Sequence, residues 1–223
     1  MNDIVWYLVL GVFDALAIVA LGFKYYRFPF WEYAKELVVI AVITSWISYL
    51  NRIVLQLPEI DMISQLLIVA LLFRYLIKMR FMPSFIVAAC GYLWFILIQY
   101  LTFTLLVSIG TVSFESSRDT IGLNVYMIQI VSQVACYLIC WAGHTFNLGF
   151  ASFHRPPHDL TTNESYKGLN LYFLIATILA TLVIFSIIYW IFYFDTHPFI
   201  AIPLVILALT ALTALSYRKE IDS

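Results

Sequence analysis

The sequence predicts an all-α fold: a polytopic transmembrane helix bundle of seven spans, with the N-terminus outside and the C-terminus cytoplasmic. Three observations predict it. Of 223 residues, 63% are hydrophobic and 11% charged, with mean hydropathy +0.94, whereas soluble domains carry about 25% charged residues. Apolar runs recur along the chain, each near the length a helix needs to cross a hydrocarbon core of roughly 30 Å. The cations between runs alternate from abundant to sparse, as the positive-inside rule requires of a chain threaded back and forth. Residues 1–223 are therefore read as a single integral membrane domain, with six spans as the alternative count.

Span 1 covers about residues 4–22. It contains Ala15-Leu16-Ala17, which loosely matches a signal-peptidase site, but the leader Met1-Asn2-Asp3 is acidic where a signal peptide is positive. The expectation is that the run is kept as a span. A loop with Lys24 and Arg27 among aromatics leads to span 2, residues 33–50, which starts through Lys35 and Glu36 and ends at Asn51-Arg52. Span 3, residues 60–77, follows Pro58. It opens beside Glu59 and Asp61 and ends on Arg74, Lys78 and Arg80, whose long side chains can snorkel into headgroups. Pro83 starts span 4, residues 84–109, inside a stretch with no charge from 81 to 114. A polar loop with Glu115, Arg118 and Asp119 precedes span 5, residues 121–146. The longest loop carries His154, Arg155, Pro156, Pro157, His158, Asp159, Glu164 and Lys167 and precedes span 6, residues 169–193. The turn Asp195-Thr196-His197-Pro198 leads into span 7, residues 199–215, and a short charged tail.

With this threading, Lys24, Arg27, Lys35, Arg74, Lys78, Arg80, Arg155, Lys167, Arg218 and Lys219 share one side, against Arg52 and Arg118 on the other. The cation-rich side is expected to be cytoplasmic, with Lys24, Arg27, Arg74, Lys78 and Arg80 as topology anchors. Aromatics gather at the expected interfaces, Tyr25 to Tyr33 inside and Tyr189, Trp190, Tyr193 and Phe194 outside. A net charge of −1 offers nothing to nucleic acid. No nucleotide-binding loop or serine elbow is present, and no cofactor is expected. No internal repeat argues for an inverted-repeat transporter. Cys90, Cys136 and Cys140 lie in apolar runs and read as small buried hydrophobes.

The candidate ligand-binding residues are Asp14, Gln65, Gln99, Gln129 and Gln133. Asp14 stands mid-span, where an ionisable group marks a functional site by default. Gln129 and Gln133 share a face one turn apart and, with Gln65, Gln99 and Asp14, could line an outward-facing polar cavity. The plainer reading is interhelical hydrogen bonding. Thr44, Ser45 and Ser48 read as a close-packing face. Cys140 and His144, also one turn apart, are the one enzyme-like pair and define a peptidase alternative. His154 and His158 flank Pro156-Pro157, which breaks a helical metal pair and leaves a solvated loop.

Ser48-Tyr49-Leu50-Asn51-Arg52-Ile53, Leu57-Pro58-Glu59-Ile60-Asp61, Phe73-Arg74-Tyr75-Leu76-Ile77-Lys78, Gly91-Tyr92 and Gln99 together resemble the membrane sensor region of Gram-positive peptide-pheromone histidine kinases of the accessory-gene-regulator and competence type. The resemblance covers about the first half of the chain. It implies a non-catalytic, signalling bundle in a bacterial plasma membrane that takes an extracellular peptide among spans 3 to 5. Membrane lipids and a signalling kinase or a second copy would be its partners. The family's phospho-acceptor helix and ATP-binding domain have no counterpart here, so the expectation is a protein that does not itself phosphorylate. The alternatives are a small transporter coupling through Asp14 and the Cys140/His144 peptidase.

Overall fold

The computed structural model describes residues 2–113, 121–159, 168–193 and 201–221, the side chains of 2–3, 187–193 and 201 excepted. Seven helices account for nearly all of them: α1 (Asn2–Tyr25), α2 (Ala34–Tyr49), α3 (Pro58–Leu76), α4 (Phe81–Ser108), α5 (Leu123–Thr145), α6 (Leu169–Tyr193) and α7 (Ala201–Ile221). No strand occurs among the described residues. A single 3-10 turn, Phe30–Tyr33, leads into α2, and a π turn, Leu50–Val54, extends it.

Six of the helices are long and apolar enough to cross a membrane, within Ile4–Tyr25, Phe30–Val54, Phe81–Ser108, Leu123–Thr145, Leu169–Ser186 and Ile202–Ile221. The chain is a multi-pass membrane protein. The helix outside that set is α3, the predicted span 3, because Glu59, Asp61 and Arg74 fall within its 19 residues. Its length is nonetheless roughly that of a hydrocarbon core, about 28 Å at the helical rise. Two prolines sit deeper in helices than the sequence reading puts them. Pro58 is the first residue of α3 and Pro83 lies in the first turn of α4. Both occupy positions where the missing N–H costs nothing and the fixed φ favours a helix.

α4 is the axis of the bundle and packs on α1, α3, α5, α6 and α7. This explains its uncharged sequence: it is enclosed by protein and lipid along its whole length. α1 lies against it backbone to backbone. A Cβ at Gly22 would sit 2.5 Å from the Val87 carbonyl oxygen, and one at Gly91 would collide with the Ile18 carbonyl oxygen. Such close approach is how small residues hold helices together where lipid removes the hydrophobic drive. Around this crossing Ala17, Leu21, Phe23, Phe28, Phe73, Ile86 and Leu93 form a dry core.

The loops after α1, α3 and α5 meet the C-terminal turn at one end of the bundle. Phe150 N–H donates to the Tyr25 carbonyl at 2.8 Å, and His158 N–H donates to the Lys78 carbonyl at 2.8 Å. Arg27 stands 3.9 Å from Glu220, and Tyr33 Oη donates to the Pro156 carbonyl at 2.6 Å. Lys24, Arg27, Lys78, Arg80, Arg155 and Lys219 therefore gather at this basic end, with Arg74 in the last turn of α3. Arg52 stands at the other. The charges Glu115, Arg118, Asp119, Glu164 and Lys167, the Asp195–Pro198 turn and the side chains of Tyr189, Trp190, Tyr193 and Phe194 lie outside the described residues.

Candidate functional site

The polar residues embedded in the apolar runs converge. Gln129 and Gln133 lie one helical turn apart on α5, and both amides donate to Asp14 of α1: Gln129 Nε2 to Oδ2 at 3.1 Å and Gln133 Nε2 to Oδ1 at 2.9 Å. Gln133 also reaches the Leu10 carbonyl at 3.0 Å, and Tyr137, the next residue on that face, donates to the Phe13 carbonyl at 2.8 Å. On the opposite wall Tyr92 of α4 donates to Gln65 Oε1 of α3 at 3.3 Å. Asp14, Gln65, Gln99 and Gln129 line one cavity of about 80 Å³, together with Tyr7, Ser48, Arg52 and Tyr92. Five helices, α1 to α5, contribute to it, whereas the sequence reading places the entry among spans 3 to 5. The amides glue helices together, as the plainer reading has it, and they also line a polar space.

The half of the site nearest Arg52 is missing from the sequence reading. Asp61, read there as a flanking acid, has no exposed surface. It is therefore buried more completely than Asp14, which keeps part of its surface exposed. Arg52 Nε meets its Oδ2 at 2.5 Å, Ser48 Oγ donates to the same oxygen at 3.0 Å, and Asn51 Nδ2 approaches Oδ1 at 3.4 Å. Asn51 also donates to Ser64 Oγ at 2.7 Å. Ser48 spends its proton on the carboxylate, so Tyr7 Oη is the donor across the 3.0 Å contact between them. Ser48 thus belongs to a charged network rather than to a packing face; Ser45, which donates to the Leu8 carbonyl at 2.9 Å beside Gly11, does serve close packing.

The π turn assembles this network. A π turn carries an extra residue per turn, and here Leu55 N–H reaches the Leu50 carbonyl at 2.8 Å. It ends α2 so that Asn51 and Arg52 face α3 across a short connection. Through it Arg52 and Asn51, nine and ten positions before Asp61, reach the carboxylate that Ser48 of α2 also serves. A signal existed in the sequence: Arg52 is one of just two cations placed on the cation-poor side, and it lies close to Asp61.

The electrostatics are uneven. Arg52 is matched by Asp61, while both hydrogen bonds to Asp14 come from neutral amides. Asp61 stands behind the lining and neutralises Arg52, so an ionised Asp14 gives the cavity and its adjoining ion pair one net negative charge, suited to a positively charged or strongly donating group. It opens at Arg52, whose side chain is 35% exposed. It closes at Ile18, where the dry crossing of α1 and α4 begins.

The other sequence candidates stand apart from this site. Cys140 is buried and His144 exposed, and Lys24 Nζ donates to His144 Nδ1 at 3.4 Å. The structure does not join Cys140 and His144 by a hydrogen bond. Cys90, Cys136 and Cys140 are free thiols in the interior. His158 departs from the expected solvated loop: its Nδ1 accepts from Arg80 N–H at 3.1 Å and its Nε2 donates to the His154 carbonyl at 2.9 Å. Among the described residues, no group of three or more metal-ligating side chains comes together.

The fold and the site define a class: a multi-pass, all-helical membrane protein with a small polar cavity sunk into one end. No family model, curated protein or solved structure matches the chain.

Proposed function

We propose that the chain is a ligand-sensing membrane bundle without catalytic activity, similar to the receptor part of peptide-responsive signalling kinases and acting with a separate kinase. In this reading α3 is a seventh span, the N-terminus lies outside a bacterial plasma membrane and the basic end faces the cytoplasm. The observation that carries it is the cavity between Arg52 and Asp14, polar at its mouth and closed by dry packing at Ile18. A transporter needs a polar path to the opposite face, and a receptor needs only a pocket.

At about 80 Å³ the cavity takes a few waters or one side-chain head, not a peptide. A peptide would rest on the Arg52 end and insert a single group. A protonated amine suits the negative balance of the cavity, with Asp14 as its partner and Gln65 and Gln99 as amide contacts. Insertion would compete for the bonds that tie α5 to α1, and α3 would carry the resulting shift from Asp61 to the basic end. Such a ligand moves the bundle only by its difference in affinity between two packings.

The test uses purified protein in proteoliposomes with synthetic peptides that carry or lack a free amino group. Amine-bearing peptides are expected to quench tryptophan fluorescence, and Asp14→Asn to weaken the response about tenfold or more, the scale of one lost charge-assisted hydrogen bond. No proton or sodium flux is expected. A flux that Asp14→Asn abolishes would replace the receptor with the coupled transporter.

A further inference from the structure

At the basic end, residues far apart in sequence enclose a second and larger cavity, of about 600 Å³. Arg80 enters from the start of α4, Arg155 from the loop before α6 and Lys219 from the last turn of α7. His154, His158, Ser152 and Asn170 add polar groups, and Asp159 is the one acid among the described lining residues. Among the described residues that line it, with the histidines counted as neutral, three cations stand against one acid.

Lys219 is held by its side chain, and the backbone that carries Arg80 and Arg155 is fastened. Lys219 Nζ lies 4.1 Å from the centre of the Phe153 ring and 5.5 Å from that of Phe173, and it donates to Asn170 Oδ1 at 3.0 Å. The loop that carries Arg155 is fastened on both sides. Ser152 Oγ donates to the Ser216 carbonyl at 2.8 Å, and His158 is bonded to Arg80 N–H. Positive groups brought from three elements to a cavity this size suit a phosphate-bearing anion, for which arginine supplies paired donors and lysine a point charge.

The neighbouring surface points to the source of that phosphate. Phe81, between Arg80 and Met82, and Leu171, next to Asn170, are 45% and 41% exposed, and Tyr172 and Ile175 continue that exposed face of α6 at 61% and 45%. These are apolar flanks that a soluble anion has no use for and that acyl chains would cover. Cation-lined pockets between spanning helices on the basic side of a membrane protein are where anionic headgroups bind.

We infer that this cavity holds the headgroup of an anionic phospholipid, its phosphate among Arg80, Arg155 and Lys219 and its chains passing Phe81 and lying on the exposed face of α6. The site is separate from the Asp14 cavity and does not depend on the receptor reading.

The test is native mass spectrometry of the full chain released from nanodiscs of phosphatidylcholine doped with phosphatidylglycerol. The wild type is expected to retain phosphatidylglycerol selectively. Arg155→Gln, an exposed loop change, is expected to cut retention about tenfold, and Arg155→Lys to restore part of it. Lys35→Gln, which removes an exposed cation of the same side outside the cavity, is expected to change nothing. Equal losses for Arg155→Gln and Lys35→Gln would reduce the effect to general surface charge and overturn the site. Phosphorus NMR that shows inorganic phosphate bound, with no phosphatidylglycerol retained, would overturn the lipid assignment.

Discussion

Asp61 shows how far a buried charge depends on its neighbours. A carboxylate with no exposed surface is tolerated because Arg52, Ser48 and Asn51 all serve it. Removing one partner of a buried ion pair strands the other, at about 3–5 kcal/mol. Arg52 is 35% exposed, and water can reach part of the pair, so Arg52→Met is expected to cost the lower figure, about 3 kcal/mol. The double change Arg52→Met with Asp61→Leu should recover most of that loss, since it leaves no uncompensated charge. Thermal unfolding in detergent micelles, followed by circular dichroism, measures both; a double variant as unstable as the sum of the singles would show that the two residues do not act as a pair. The same pair explains what the sequence hid. Asp14 and the glutamines stand out because each interrupts an apolar run. Asp61 and Arg52 sit at run ends, where charge normally marks the water interface, and only the π turn reveals that they face inward.

At the scale of the helices, apolar runs locate all seven helices, six of them apolar enough to cross a membrane, because hydrophobicity along a chain is a one-dimensional property. The contacts between them are not, and the α1–α4 crossing is the clearest case. Gly22 and Gly91 look like any other glycines in the sequence, yet each faces the backbone of the other helix. Gly91→Ala would push its new methyl into the Ile18 carbonyl, and overpacking of this kind costs about 1–3 kcal/mol. Gly143 is the internal control. It lies in α5, and a Cβ there would meet nothing within 4 Å, so Gly143→Ala should gain up to about 1 kcal/mol of helix propensity. Opposite signs in thermal stability are the expected result. Equal tolerance of both changes would mean that α1 and α4 do not cross this closely.

For the molecule as a whole, the two cavities have opposite charge and occupy opposite ends, and that polarity ties both proposals to one topology. The negative cavity opens beside Arg52; the positive one lies where Lys24, Arg27, Lys78 and Arg80 collect. Membrane insertion places cation-rich ends in the cytoplasm, so a ligand from outside would meet the first cavity and cytoplasmic-leaflet lipid the second. The opposite orientation would offer the Asp14 cavity to the cytoplasm and remove the case for an extracellular peptide. Cysteine labelling decides it. The native thiols at Cys90, Cys136 and Cys140 are buried, which leaves a low background. Leu55→Cys, at a position 58% exposed beside the π turn, and His154→Cys, in the exposed loop of the basic end, probe the two ends. In intact cells a membrane-impermeant maleimide is expected to label Leu55→Cys at once and His154→Cys only after permeabilisation. The reverse pattern would invert the bundle. Labelling of both from one side would mean that α3 does not cross, because the chain passes from Leu55 to His154 through α3, α4 and α5, and only an odd number of crossings separates them.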